Sequence, residues 1–114
     1  MAKTTFSYLK SSDESQALMK VALGEENADL AVVNARLANV YTGEFIDDCA
    51  ISIKGKWIAY VGPNPDETIG PKTEVINAGG QTAIPGLIDG HTHLGWLCKA
   101  DEFLKYAATG GTTT

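Results

Sequence analysis

Along the chain, apolar positions fall first at helical and then at strand spacing. Ala17, Leu18, Val21 and Ala22 recur three and four apart, behind Ser12 or Asp13 as an N-cap and ahead of Gly24 as a stop. That spacing predicts a short amphipathic helix over residues 12–23. From Asp29 onward the apolar residues gather into β-branched and aromatic runs at 30–33, 37–41, 50–53, 57–61 and 74–76, compositions that suit half-buried strands. Thr42-Gly43, Lys54-Gly55, Gly62-Pro63-Asn64-Pro65 and Asn77-Ala78-Gly79-Gly80 punctuate them as turns, with Lys54-Gly55 closing a tight hairpin. The last of these has no phosphate-loop spacing and no helix behind it. Turn signals every 8–12 residues or so predict a small antiparallel β-sandwich or open barrel.

Past Gln81 the pattern changes again. Residues 87–93 read as one strand, and residues 101–108 as a helix stopped by Gly110-Gly111, with Asp101 and Glu102 opposing its dipole. A second strand would begin near Thr112, so strand, helix and strand open a βαβ unit. The expected organisation is an N-terminal helical segment (1–27), a β module (28–83) and the start of a larger α/β fold (84–114).

Composition narrows the function classes. With 44% hydrophobic and 20% charged residues the chain is ordinary for a globular protein, and no apolar run approaches the roughly 20 residues that cross a bilayer. The first residues lack the apolar stretch of about 7–15 that marks a secretory signal, so a cytoplasmic location is expected. A net charge of −5 with dispersed Lys and Arg argues against nucleic acid as a partner. Cys49 and Cys98 share no CxxC spacing and read as buried thiols, Cys98 being a minor site candidate five residues past His93.

Both histidines of the chain lie in Gly90-His91-Thr92-His93. Side chains two apart on a strand leave from one face, so the two imidazoles can converge on one ion. Neutral imidazole suits zinc, iron, manganese or nickel. Asp89 alternates onto the same face, where it could orient a histidine through the ring N–H. Ordinary surface or core histidines are the competing reading. Trp57, in a hairpin strand, reads as core, Trp96 as a candidate for stacking on a substrate, and Asp47-Asp48 as a solvated turn.

The string Ile84-Pro85-Gly86-Leu87-Ile88-Asp89-Gly90-His91-Thr92-His93 resembles the first barrel strand of the amidohydrolase superfamily, where a PG-x-ID-x-H-x-H motif supplies two metal ligands. The stretches 28–37, 40–44 and 51–62 are similar to the small β domain that precedes that barrel. Val21-Ala22-Leu23-Gly24 ahead of Ala28-Asp29-Leu30 resembles adenine deaminases in particular. The chain departs from them after the second histidine, where Leu94-Gly95-Trp96-Leu97 stands in place of Ile-Glu-Ser-Ser.

This resemblance, over most of residues 17–114, implies a mainly β fold: a short N-terminal helix, a small β-sandwich or composite domain, and the first β/α unit of a truncated (β/α)8 barrel. It implies one or two divalent ions (zinc, manganese or iron) held in part by His91 and His93. The full enzyme would deaminate adenine to hypoxanthine and ammonia through a metal-bound hydroxide. The remaining ligands and the acid/base would come from later strands, so the 114-residue chain carries no catalytic residue and is expected to be inactive. Two other readings stay open: a dihydroorotase-like or imidazolonepropionase-like hydrolase of cyclic amides, and a non-catalytic β module for assembly. The expected partners are a small purine or cyclic amide for the full enzyme and further copies of the chain. Without barrel neighbours, Leu87, Ile88, Phe103, Leu104 and Tyr106 leave apolar surface and an open strand edge, which predicts self-association or disorder after Pro85.

Overall fold

Ser11 starts the first helix. Its Oγ accepts the Glu14 backbone N–H at 3.1 Å while Glu14 Oε2 accepts the Ser11 N–H at 2.8 Å, a reciprocal box that satisfies amides a helix N-terminus leaves open. The cap therefore lies just ahead of the Ser12 or Asp13 expected from spacing, because only from Ser11 does a carboxylate fall three residues on. Helix α1 runs Ser12–Ala22, and Gly24 at φ 74° turns the chain away from it. The computed structural model describes residues 9–93 and 98–114.

Five strands follow: β1 (Leu30–Asn39), β2 (Glu44–Lys54), β3 (Trp57–Gly62), β4 (Glu74–Asn77) and β5 (Thr82–Ala83). They form one sheet in the order β3-β2-β1-β4, with β5 also on β1. The first three pair antiparallel, whereas β4 and β5 run parallel to β1. This is a small β domain on a single mixed sheet, and it corrects the antiparallel sandwich or open barrel expected from turn spacing. Turn spacing reports hairpins such as Gly55-Lys56, where Gly55 takes φ 58°. The longer link from Gly62 to Glu74, with a 3₁₀ turn at Asp66–Thr68, instead carries the chain to the far side of β1 in the same direction.

The two runs expected at 30–33 and 37–41 are one strand. Val32 faces Ile51 and Leu37 faces Ile46, yet Ala35 between them faces Cys49. One extra residue has entered β1 and one β2, so two bulges cancel and pairing resumes in its first register. Asn34 and Asp48 lie in these insertions, both at φ 54°, a left-handed conformation that Asn and Asp reach more readily than branched residues. The Asp47-Asp48 pair is thus part of a bulge inside β2, not a turn, with Asp47 Oδ1 3.4 Å from Arg36 Nε. Replacing Asn34 with Gly should leave urea-unfolding stability within about 0.5 kcal/mol, whereas Asn34→Val should cost about 1–2 kcal/mol. Equal losses in the two variants would show that the Asn34 side chain, not its backbone, sets the bulge.

Directly opposed residues share a face, which assigns the two sides of the sheet. Ala31, Ser52 and Tyr60 lie on one side, with Ala31 and Ser52 fully buried. Helix α1 and the 3₁₀ turn cover that side, and Val21 of α1 is fully buried with them. The small side chains of Ala28, Ala31, Ala35 and Ala50 keep this core shallow. One polar pair is enclosed in it. Thr68 Oγ1 donates to Pro65 O at 2.8 Å, so at 2.6 Å it is the Ser52 hydroxyl that donates to Thr68 Oγ1. The opposite side carries Val32, Ile51, Ile58, Val61 and Ile76, the last three well exposed.

Contacts divide the chain into two units at the boundary between Ala83 and Ile84. In the second, helix α2 spans Ala100–Thr109, has Asp101 and Glu102 in its first turn, and ends where Gly111 takes φ 89°. Leu87 forms a parallel bridge with Thr112: its N–H donates to Gly111 O at 2.9 Å and its carbonyl accepts the Thr113 N–H at 2.8 Å. One parallel bridge and a helix therefore stand where a strand, helix and second strand were expected. The pairing is shorter than the strand expected over 87–93. The Asp89 N–H reaches Thr114 O at 2.8 Å, and residues 90–93 continue without a ladder. No helix among the described residues is long and apolar enough to cross a membrane.

Candidate metal site

The site is built outward from the bridge. Gly86 packs where a Cβ would collide with the Thr113 side chain, so the two backbones approach closely. Leu87 and Asp89 are then tied through their amides to Gly111 and Thr114. Past Asp89 the backbone bends, and the Asp89 carboxylate takes over from the ladder: Oδ1 accepts the His91 backbone N–H at 3.1 Å. His91 Nε2 and His93 Nε2 come within 3.1 Å of each other, with the rings edge to face at 76° and their centroids 4.9 Å apart. All three side chains are exposed.

That nitrogen separation can be compared with what one ion requires. At metal–nitrogen bonds of about 2.0–2.1 Å and angles between octahedral and tetrahedral, two imidazole nitrogens on one ion lie about 2.8–3.4 Å apart. The His91–His93 separation falls within this window, and neutral imidazole nitrogen is a suitable donor. Among the described residues no group of three or more His, Cys, Asp or Glu side chains converges, so Asp89 is not brought in as a third donor. Among the described residues its carboxylate contact is to the backbone N–H of His91.

Comparison with curated proteins is consistent along most of the chain. Adenine deaminase 3 of Rhizobium meliloti is 44% identical over 98 residues, 85% of this chain. The adenine deaminase of Mesorhizobium japonicum is 41% identical over 98 residues, and that of Ruegeria sp. is 42% identical over 104 residues, 90% of this chain. These matches are what an N-terminal fragment of an adenine deaminase would give. The chain spans about a sixth of the length of these relatives, 16–17%. No protein-family profile matches it. Among solved structures, a Bacillus thuringiensis protein superposes with a TM-score of 0.45 and 27% identity, over 60% of this chain and 92% of that one.

Trp96 lies outside the described residues. Cys49 is buried as expected, but Cys98 is half-exposed, and both thiols are free. Trp57 is half-buried; its Nε1 donates to Glu14 Oε1 at 3.1 Å, and the Lys10 and Lys56 ammonium groups stand 4.9 and 5.1 Å from its ring centroid. Two concavities in the first unit hold neither histidine. One, of about 430 Å³, is lined by Glu26, Asn27, Asp29, Lys54 and Lys72, and the other, of about 230 Å³, by Glu14, Leu18, Lys54 and Trp57.

Asp29 is a structural residue that the sequence reading did not single out. Its Oδ2 accepts the Gly55 N–H at 2.7 Å and its Oδ1 the Lys54 ammonium at 3.1 Å, clamping the β2–β3 hairpin turn. The Gly55 amide, then Lys54, holds the carboxyl below its ordinary 3.8. The Ser11 amide, then Trp57, likewise lowers Glu14. A lowered carboxyl contributes stability that is present above its unfolded pKa and lost as pH falls through the folded one. Asp29→Asn should therefore lower the thermal midpoint at neutral pH, with the gap to wild type closing in acid below the ordinary carboxylate range. A gap that stays constant with pH would remove the charge from this account.

Proposed function

We propose that this chain is the amino-terminal part of a metal-dependent adenine deaminase, and that His91 and His93 are two of its metal ligands. The approach of the two Nε2 atoms to 3.1 Å, just past a strand segment bridged in parallel to Thr112, carries the reading. The names of the relatives supply the substrate. On this reading residues 84–114 are the first β/α unit of a (β/α)8 barrel, where ligands lie at the carboxyl ends of strands and His91 and His93 follow one.

The chain's own part in the reaction is to bind and orient. His91 and His93 would each offer a neutral Nε2 lone pair to the same divalent ion, zinc, manganese or iron. Asp89 fixes the backbone that carries them. The ion, when bound, supplies Lewis acidity that makes water a usable nucleophile near neutral pH. Overall, adenine and water would give hypoxanthine and ammonia. Two histidines are fewer than the three protein ligands of an ordinary catalytic zinc site, so the 114 residues alone would not turn over.

The chain would also self-associate, because Ile84, Leu87, Ile88, Leu104 and Tyr106 are each more than half exposed in it. The functional test is ammonia release from adenine by the product of the native gene, before and after chelation. Release that chelation abolishes and metal restores supports the proposal. Turnover of dihydroorotate with none of adenine would move the chain to the cyclic amidohydrolases.

A further inference from the structure

The ladder in the second unit ends at the Asp89 N–H, yet the histidines it leads to lie further along. Backbone leaving a ladder is free to take many conformations, and converging two side chains two residues apart needs a further restraint. The Asp89 carboxylate is placed to supply one. Its own backbone N–H is held by Thr114 O at 2.8 Å, and its Oδ1 accepts the His91 N–H at 3.1 Å. His91 and His93 then stand with Nε2 atoms 3.1 Å apart. Gly90, inside the bend, has open space around it and contributes no packing restraint of its own.

We infer that Asp89 is a positioning residue that acts from outside the donor set: it holds the backbone of His91 so that the two imidazoles converge. The inference rests on the metal-site reading for its purpose but on the ion-free chain for its geometry. It differs from a ligand role, which needs the carboxylate charge, and from a role through a histidine ring N–H, because the contact seen among the described residues is to the His91 backbone N–H. An acceptor oxygen at the Oδ1 position is sufficient for it.

The variants Asp89→Asn and Asp89→Ala separate these roles, because Asn keeps the oxygen and Ala removes it. In the metal-free 114-residue chain, NMR reads the exchange protection of the His91 amide and the through-space contact between the His91 and His93 rings. Wild type and Asp89→Asn should show both, and Asp89→Ala should lose both. In a parallel cobalt(II) titration, Asp89→Ala should bind about 10-fold more weakly and Asp89→Asn within about 2-fold of wild type. Protection and ring contact that survive in Asp89→Ala overturn the inference, as does equal loss of cobalt affinity in both variants, which would make the carboxylate a ligand. If wild type binds no cobalt while the NMR pattern holds, the positioning role stands and the metal-site reading fails.

Discussion

Replacing either His91 or His93 with alanine is expected to weaken binding of a divalent ion to this chain by about 100-fold, or about 2.7 kcal/mol. If the proposed site holds, the two nitrogens 3.1 Å apart would act as a chelate: once one imidazole held the ion, the second would meet it at high effective concentration. A chain with one histidine keeps only a single exposed donor. The double variant should bind no more weakly than either single one by more than a few fold, because the first substitution already removes the chelate. Cobalt(II) absorbance titrations of the three variants check this. Independent, additive losses would mean that the two histidines bind separate ions.

The second large effect is expected in the first unit. Ala31 is fully buried in the central strand, on the side covered by α1 and the 3₁₀ turn. Ala31→Leu forces additional side-chain volume into a core whose other members include Ala28, Ala35 and Ala50. Overpacking of this kind costs about 1–3 kcal/mol. In a unit of this size each kcal/mol moves the thermal midpoint by about 4–8 °C, so a fall of about 10 °C is expected. Ile58→Thr, on the opposite and open side of the sheet, should stay within about 0.5 kcal/mol. A neutral Ala31→Leu with a costly Ile58→Thr would put the core on the wrong face.

Much of the local structure could be read from the residues. The spacing of Ala17, Leu18, Val21 and Ala22 locates α1, and the run from Asp101 to Ala108 locates α2, because both patterns depend on neighbours within a turn or two. The hairpin at Gly55 is legible for the same reason. What failed was whatever depends on distant partners. Asn34 looks like a break between strands, and only pairing with β2 shows that it is a bulge cancelled by another at Asp48. The direction of β4 depends on the route taken after Gly62, which turn residues do not encode, so the expected sandwich gives way to one mixed sheet.

At the candidate site the closeness of the two histidines was legible and the support of their backbone was not. His91 and His93 were placed together by two-residue spacing, but as members of a strand. The ladder in fact ends at Asp89, and the pair is carried on a bend held by the Asp89 carboxylate. Alternation along a strand suggested a contact from Asp89 to a histidine ring; the contact seen among the described residues is to the His91 backbone N–H. Asp29 escaped notice because its partners, Lys54 and Gly55, are more than twenty residues away in sequence.

The most direct test of the central claim is native mass spectrometry of the product encoded by the native gene, which reads chain length and bound metal together. The account predicts a polypeptide several times longer than 114 residues that carries one or two divalent ions and loses them when His91 and His93 are replaced. A metal-free product of 114 residues would contradict it.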